Sequence, residues 1–221
     1  MMIRFLRHFI FATVLATGLT VSLPLIADLN LGEAFLSQIE EKFNRFARKR
    51  VETWQQLIAE NKGLTDLEKL DAVNNFFNTN LLFINDIDLW QKEDYWATPL
   101  EALTIGAGDC EDYSIAKYFT LKELGVDESK LRITYVKAVE LGQAHMVLTY
   151  FDTKRSIPLV LDNIDADIKL ATNRRDLVPV YSFNGAGLWL AKSRGTGKRV
   201  GNSSRLSLWG ELEQRMKNEL K

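Results

Sequence analysis

Apolar residues recur at helical spacing through the first part of the chain. Phe35, Ile39, Phe43, Phe46, Val51, Trp54 and Leu57 are separated by charged and polar positions, and no proline interrupts the run from Asn30 to Asn61. That period predicts one long amphipathic helix, or two with a break near Lys49, ended by Gly63. Thr65, with Glu68 in the third helical position, forms a capping box that opens another helix to about Thr79. The period then lapses. Asn80 to Pro99 reads as a loop carrying Asp86, Asp88, Glu93 and Asp94 among the rings Trp90, Tyr95 and Trp96, which are expected to pack over a core rather than to bind a ligand.

Helical spacing returns from Cys110 to Leu124, where Gly125 stands at the C-terminal cap position. Beyond it the period changes to two. Leu131 to Glu140, Ala144 to Phe151, Pro158 to Asn163, Val178 to Phe183 and Gly187 to Ala191 read as strands, the last two joined across the turn pair Asn184-Gly185. Gly195 to Ser204 reads as a flexible basic loop, and Leu206 to Leu220 as a closing helix. Gly195-Thr196-Gly197-Lys198 is no phosphate-binding loop, because Lys192 and Arg199 occupy the positions that need glycine and a hydroxyl. Helices first and antiparallel strands after mean an α+β fold.

Composition changes this picture little. With 46% hydrophobic and 26% charged residues and a formal net charge of -1, the chain has the balance of a globular domain and no electrostatic footprint for nucleic acid. The N-terminus is more informative. Arg4 and Arg7 precede an almost wholly apolar stretch from Phe9 to Ala27, the pattern of an export signal or, if uncleaved, of a membrane anchor. Residues 1–27 are therefore read as that segment and 28–221 as the folded domain, exported to the periplasm, with the membrane touched only through the signal.

Cys110 is the only cysteine in the chain, so it forms no intramolecular disulfide. It stands at a predicted helix N-terminus, where free backbone N–H groups favour thiolate. Of two histidines, His8 lies in the apparent signal, leaving His145 as the available base on its predicted strand. Asp162 ends the next strand and can orient the imidazole, with Asn163 and Asp165 as nearby substitutes. Asp109, Glu111 and Asp112 crowd the same cysteine. They can cap the helix and complement its dipole, but like charges disfavour a thiolate. A hard cation such as Ca²⁺, held by these oxygen ligands, would remove that conflict.

Asp94-Tyr95-Trp96-Ala97-Thr98-Pro99, Gly108-Asp109-Cys110-Glu111-Asp112-Tyr113, Ala144-His145-Met146-Val147-Leu148 and Leu161-Asp162-Asn163 together resemble the bacterial transglutaminase-like cysteine proteinases in content and order. The resemblance implies a papain-like core with N-terminal helices packed on an antiparallel sheet, and a triad of Cys110, His145 and Asp162. It also implies calcium dependence at Asp109, Glu111 and Asp112. The expected substrate is a large surface adhesin, cut near its N-terminus at a di-alanine sequence to release a biofilm. The expected regulator is the periplasmic domain of an inner-membrane cyclic-di-GMP receptor. Two other readings use the same residues: a transglutaminase or amidase on the same triad, and a non-catalytic calcium-binding docking module.

Overall fold

The computed structural model describes residues 31–190 and 197–219. The expected signal at residues 1–27 lies outside them, and no helix among the described residues is long and apolar enough to cross a membrane. Helices α1 (Glu33–Lys42) and α2 (Arg45–Asn61) replace the single long amphipathic run. The break falls at Phe43–Asn44 rather than near Lys49. There the Asn44 side chain accepts from the N–H groups of Phe46 and Ala47 at 2.8 and 2.9 Å and restarts the helix. Helix α3 (Asp66–Asn80) begins in the expected Thr65–Glu68 capping box.

The stretch read as a loop is more ordered than its sequence suggests. It holds β1 (Leu82–Phe83) and the short helix α4 (Asp86–Leu89), and is followed by α5 (Pro99–Ile105) and β2 (Ala107–Gly108). Thr98 caps α5, Pro99 fills its first turn, and Glu101 completes a second capping box. Gly106 ends α5 at φ 82°, a left-handed conformation that suits glycine. The Arg50 guanidinium lies against that glycine and donates to the Leu103 and Thr104 carbonyls at 2.6 and 2.9 Å, so α2 closes the end of α5. The rings pack, as expected: buried Trp96 stacks on Phe183 with centroids 5.3 Å apart, and Trp90 lies against Tyr95.

Helix α6 (Cys110–Glu123) runs through the middle of the molecule. Tyr113 to Tyr118, Thr120 and Leu121 are all buried, so it is enclosed on every side instead of presenting one face. It packs on α3, α5 and the sheet, and Trp54 donates to Thr120 Oγ1 at 2.8 Å. Seven antiparallel strands form that sheet: β3 (Leu131–Ala138), β4 (Gln143–Tyr150), β5 (Leu159–Leu161), β6 (Lys169–Leu170), β7 (Leu177–Asn184), β8 (Gly187–Leu190) and β9 (Lys198–Gly201), in the order β6-β5-β4-β3-β7-β8-β9. Strand β9 lies where a flexible loop was expected; pairing with β8 supplies the hydrogen bonds that its polar sequence does not advertise. The closing helix α7 (Ser207–Glu219) buries Trp209 and Leu212 in the main core.

Both faces of the sheet are covered near β4. Met146, Leu148 and Tyr150 belong to the main core with α6, while Val147 joins Val136 and Val160 in a small second cluster. By strand alternation His145 shares the face of Val147.

Candidate functional site

The sheet first delivers the histidine. His145 is 3% exposed, and its Nε2 meets Asp162 Oδ1 at 2.8 Å, just past the end of β5. Asp162 is fixed at both carboxylate oxygens and at its backbone carbonyl. Its Oδ1 also accepts from the Ile164 N–H at 3.1 Å, its Oδ2 from Arg174 at 2.8 Å, and its backbone carbonyl from Asn78 Nδ2 and Lys117 Nζ at 2.8 and 3.0 Å. Burial alone would raise the Asp162 carboxyl, but the His145 ring, the Ile164 N–H and Arg174 outweigh it and hold the group at about 2. Arg174 is itself buried and forks between Asp162 and Asp176. Asp165 and Asn163, the substitutes considered for the orienting role, do not take it: Asp165 pairs with Lys169 at 2.7 Å instead.

The cysteine arrives from the other side. Strand β5 pairs only with Leu148–Tyr150, so the earlier part of β4 has no strand on that flank. There the Met146 backbone N–H, one peptide link from His145, favours the Cys110 thiolate. The thiol in turn donates to Glu111 Oε2 at 3.0 Å. Burial and the Glu111 and Asp109 carboxylates drive its pKa upward, against the expectation from the helix terminus. A helix dipole contributes about 0.3–1 kcal/mol, up to about 2 in partly buried geometry. A buried thiol beside carboxylates costs more to ionise than that.

Around the thiol the acids gather more densely than the sequence predicts. Asp109 is the N-cap residue of α6. Asp112, fully buried, accepts from the Asp109 N–H at 3.2 Å and from the Ala97 N–H at 2.7 Å. Gly108 makes this possible, because a Cβ there would stand 2.6 Å from Asp112 Oδ2. Two further acids, Asp86 and Asp94, join from the preceding segment. Strand β1 runs parallel to β2, with Leu82 N–H donating to Gly106 O at 3.0 Å and Ile84 N–H to Gly108 O at 3.1 Å. That short ladder lays Asp86 beside Asp109.

Ligand oxygens of Asp86, Asp109 and Asp112 lie within 4.8 Å of one another, as do those of Asp86, Asp94 and Glu111. Cys110 Sγ falls within the same distance of Asp109 and Glu111. Unlike Asp162, whose Oδ2 meets Arg174, these carboxylates lie chiefly against one another. Burial and mutual repulsion push Asp109 up to about 9 and raise Glu111, Asp112 and Asp86 as well. Asp86 Oδ1 and Asp109 Oδ1 are buried without a hydrogen-bond partner. Two such orphaned carboxylate oxygens inside an all-oxygen donor set fit a hard divalent cation.

Comparison with known proteins agrees with this geometry. The family model described as bacterial transglutaminase-like cysteine proteinase, BTLCP, matches residues 42–189, a span that holds every residue named above for the site. The solved structure of EGTA-treated Legionella pneumophila LapG shares 42% identity, covers 82% of this chain and 97% of its own, and superposes with a TM-score of 0.72. Calcium-bound Legionella pneumophila LapG shares 42% identity over the same proportions, with a TM-score of 0.71. The comparison with curated proteins returned no match. The matched span, the α+β architecture and the identity to solved members agree: this chain belongs to the bacterial transglutaminase-like cysteine proteinase family.

Proposed function

We propose that the protein is a calcium-dependent periplasmic cysteine endopeptidase acting through Cys110, His145 and Asp162. The observation that carries the reading is the buried His145–Asp162 pair, placed one peptide link from the Met146 amide that favours the Cys110 thiolate. With Nε2 bound to Asp162, the other ring nitrogen, Nδ1, is the atom that serves the thiol. Cys110 Sγ attacks the scissile carbonyl while His145 takes its proton and passes it to the leaving amine. Asp162 holds the tautomer and stabilises the imidazolium. The Cys110 backbone N–H, at the first turn of α6, donates to the developing oxyanion. Water then hydrolyses the thioester, with His145 as base.

Asp109, Glu111 and Asp112, joined by Asp86 and Asp94, would hold Ca²⁺. Its charge would offset the carboxylates that now oppose the thiolate, so binding and catalysis are coupled. Support comes from the orphaned oxygens of Asp86 and Asp109 and from the existence of calcium-bound Legionella LapG.

The substrate on this reading is a large surface adhesin, cut near its N-terminus at a di-alanine sequence, with release of the adhesin and biofilm dispersal. Sequestration on the periplasmic domain of a LapD-like cyclic-di-GMP receptor regulates it, and the apolar segment at residues 9–27 provides export. Incubating the protein with the N-terminal region of a candidate adhesin tests the proposal. Cleavage is expected with calcium, and none with a calcium chelator or with Cys110→Ala. Normal cleavage by Cys110→Ala overturns the triad, and cleavage indifferent to chelation overturns the metal.

A further inference from the structure

Helix α7 lies beyond residues 42–189, the span shared with the family model, yet it grips the segment that delivers two of the acids. Its Arg215 guanidinium donates to the Trp96 backbone carbonyl, stands 3.5 Å from Glu101 Oε2, and lies over the Tyr95 ring at 4.5 Å. One turn on, Glu219 Oε1 accepts from Thr98 Oγ1 at 2.6 Å. Tyr95 closes the set by donating its hydroxyl to Glu101 Oε1 at 2.9 Å. Of the consecutive residues 95–98, Tyr95, Trp96 and Thr98 are thus held by α7, by Glu101 or by both.

Two residues of the same stretch face the acids with their backbone. The Tyr95 N–H donates to Asp86 Oδ2, and the Ala97 N–H donates to Asp112 Oδ1 at 2.7 Å. Asp94 immediately precedes them and supplies an oxygen to the group with Asp86 and Glu111. Asp86 is only 2% exposed, and its Oδ1 is buried without a hydrogen-bond partner. Side chains on one side of this short strap meet α7, and amides on the other side orient carboxylates. A displacement at Trp96 or Thr98 is therefore passed to Asp112 through the intervening Ala97 amide, and toward Asp86 and Asp94 through Tyr95.

We infer that α7 is a positioning element for the metal centre, and that Arg215, with Glu219, tunes calcium affinity by fixing residues 95–98 beneath Asp86, Asp94 and Asp112. This rests on the calcium reading above. Neither residue touches the cation or the thiol; both act through the strap, as outer partners of metal ligands commonly do. Arginine suits the role because its planar fork serves a carbonyl, a carboxylate and a ring face together, which an ammonium cannot.

Calorimetric titration of CaCl₂ into the wild type, Arg215→Met, Arg215→Lys and Leu212→Ala tests the assignment. Leu212 is fully buried in the core on the same helix, so its truncation loosens α7 packing without removing the grip on the strap. Arg215→Met is expected to weaken calcium binding about tenfold or more, the usual cost of losing an outer partner. Arg215→Lys should lie between it and the wild type. Leu212→Ala should melt lower yet bind calcium like the wild type while folded. Equal calcium affinity in Arg215→Met and wild type overturns the role of α7 alone. So does a loss in Leu212→Ala as large as that in Arg215→Met, since general loosening would then explain both. A wild type that takes up no calcium overturns the calcium reading itself, and this inference with it.

Discussion

The two halves of the site treat buried charge in opposite ways. On the sheet side, Asp162 is fully buried but surrounded by His145, Arg174 and the Ile164 N–H, and its carboxyl is held at about 2. On the helix side, buried Asp86 and Asp112 and half-buried Asp109 and Glu111 lie largely against one another, and all four are raised. One half is neutralised by the chain's own residues. The other has to draw its counter-charge from solution or from protons. A thiol at a helix N-terminus, ordinarily an acidifying place, has its pKa raised here first by burial and then because the nearest charges belong to the unmatched half.

The contrast breaks most visibly at Arg174. Arg174→Met leaves Asp162 buried and short of its cation, and should cost about 3–5 kcal/mol in denaturant unfolding, as breaking other buried pairs does. Adding Asp162→Asn should recover part of that loss, since the pair acts as a unit; strictly additive losses would show that the pairing matters little.

A reversal of sign is expected at Asp86. Its carboxylate lies within 4.8 Å of ligand oxygens on Asp109 and Asp112, a repulsion of at least about 3 kcal/mol per ionised pair near an effective dielectric of 20. Asp86→Asn should therefore melt above the wild type in chelator and below it in calcium. A variant that shifts the same way under both conditions would argue against the cluster as a cation site.

Gly108→Ala should destabilise by about 1–3 kcal/mol, the usual range for overpacking. The added carbon would meet Asp112 Oδ2 at 2.6 Å, so calcium response should fall with stability.

The smallest effect concerns Lys117, whose buried ammonium is pushed by desolvation from 10.5 down to about 7, with Asp162 opposing the shift. A lowered value in the folded state means that this group's contribution is present above about pH 10.5 and lost as pH falls through about 7. Lys117→Met carries no charge to bury. Its melting temperature should therefore gain on the wild type by a few degrees between pH 10 and pH 7; a gap constant with pH would place the lysine's cost elsewhere.

What the sequence made legible follows from the range of the interactions concerned. The Thr65–Glu68 box, the helix beginning at Cys110 and the strands β3 and β4 are local, and all appear where expected. Thr98-Pro99 with Glu101 carried the same local signature and would have revealed α5, had the long loop reading not covered it. Likewise Asn44 was a legible cap inside an otherwise continuous apolar period. Asp86 and Asp94 were of another kind. Nothing in their spacing distinguishes them from Asp88 or Glu93; only the parallel pairing of β1 with β2 and the strap at residues 95–98 select them. Arg174 was equally silent, because its partner Asp162 arrives through the fold of the sheet.

That parallel ladder has a dynamic corollary. Residues 82–83 and 107–108 are paired over only two positions, too few to hold the intervening segment strongly by themselves. A cation gripped by Asp86 and Asp94 on one side and by Asp109 and Glu111 on the other would act as a removable staple across that segment. Amide hydrogen exchange between residues 84 and 98 would then follow the free calcium concentration, while the interior of α6 kept its protection. The segment would make the chain a reporter of its surroundings, opening locally wherever calcium is scarce.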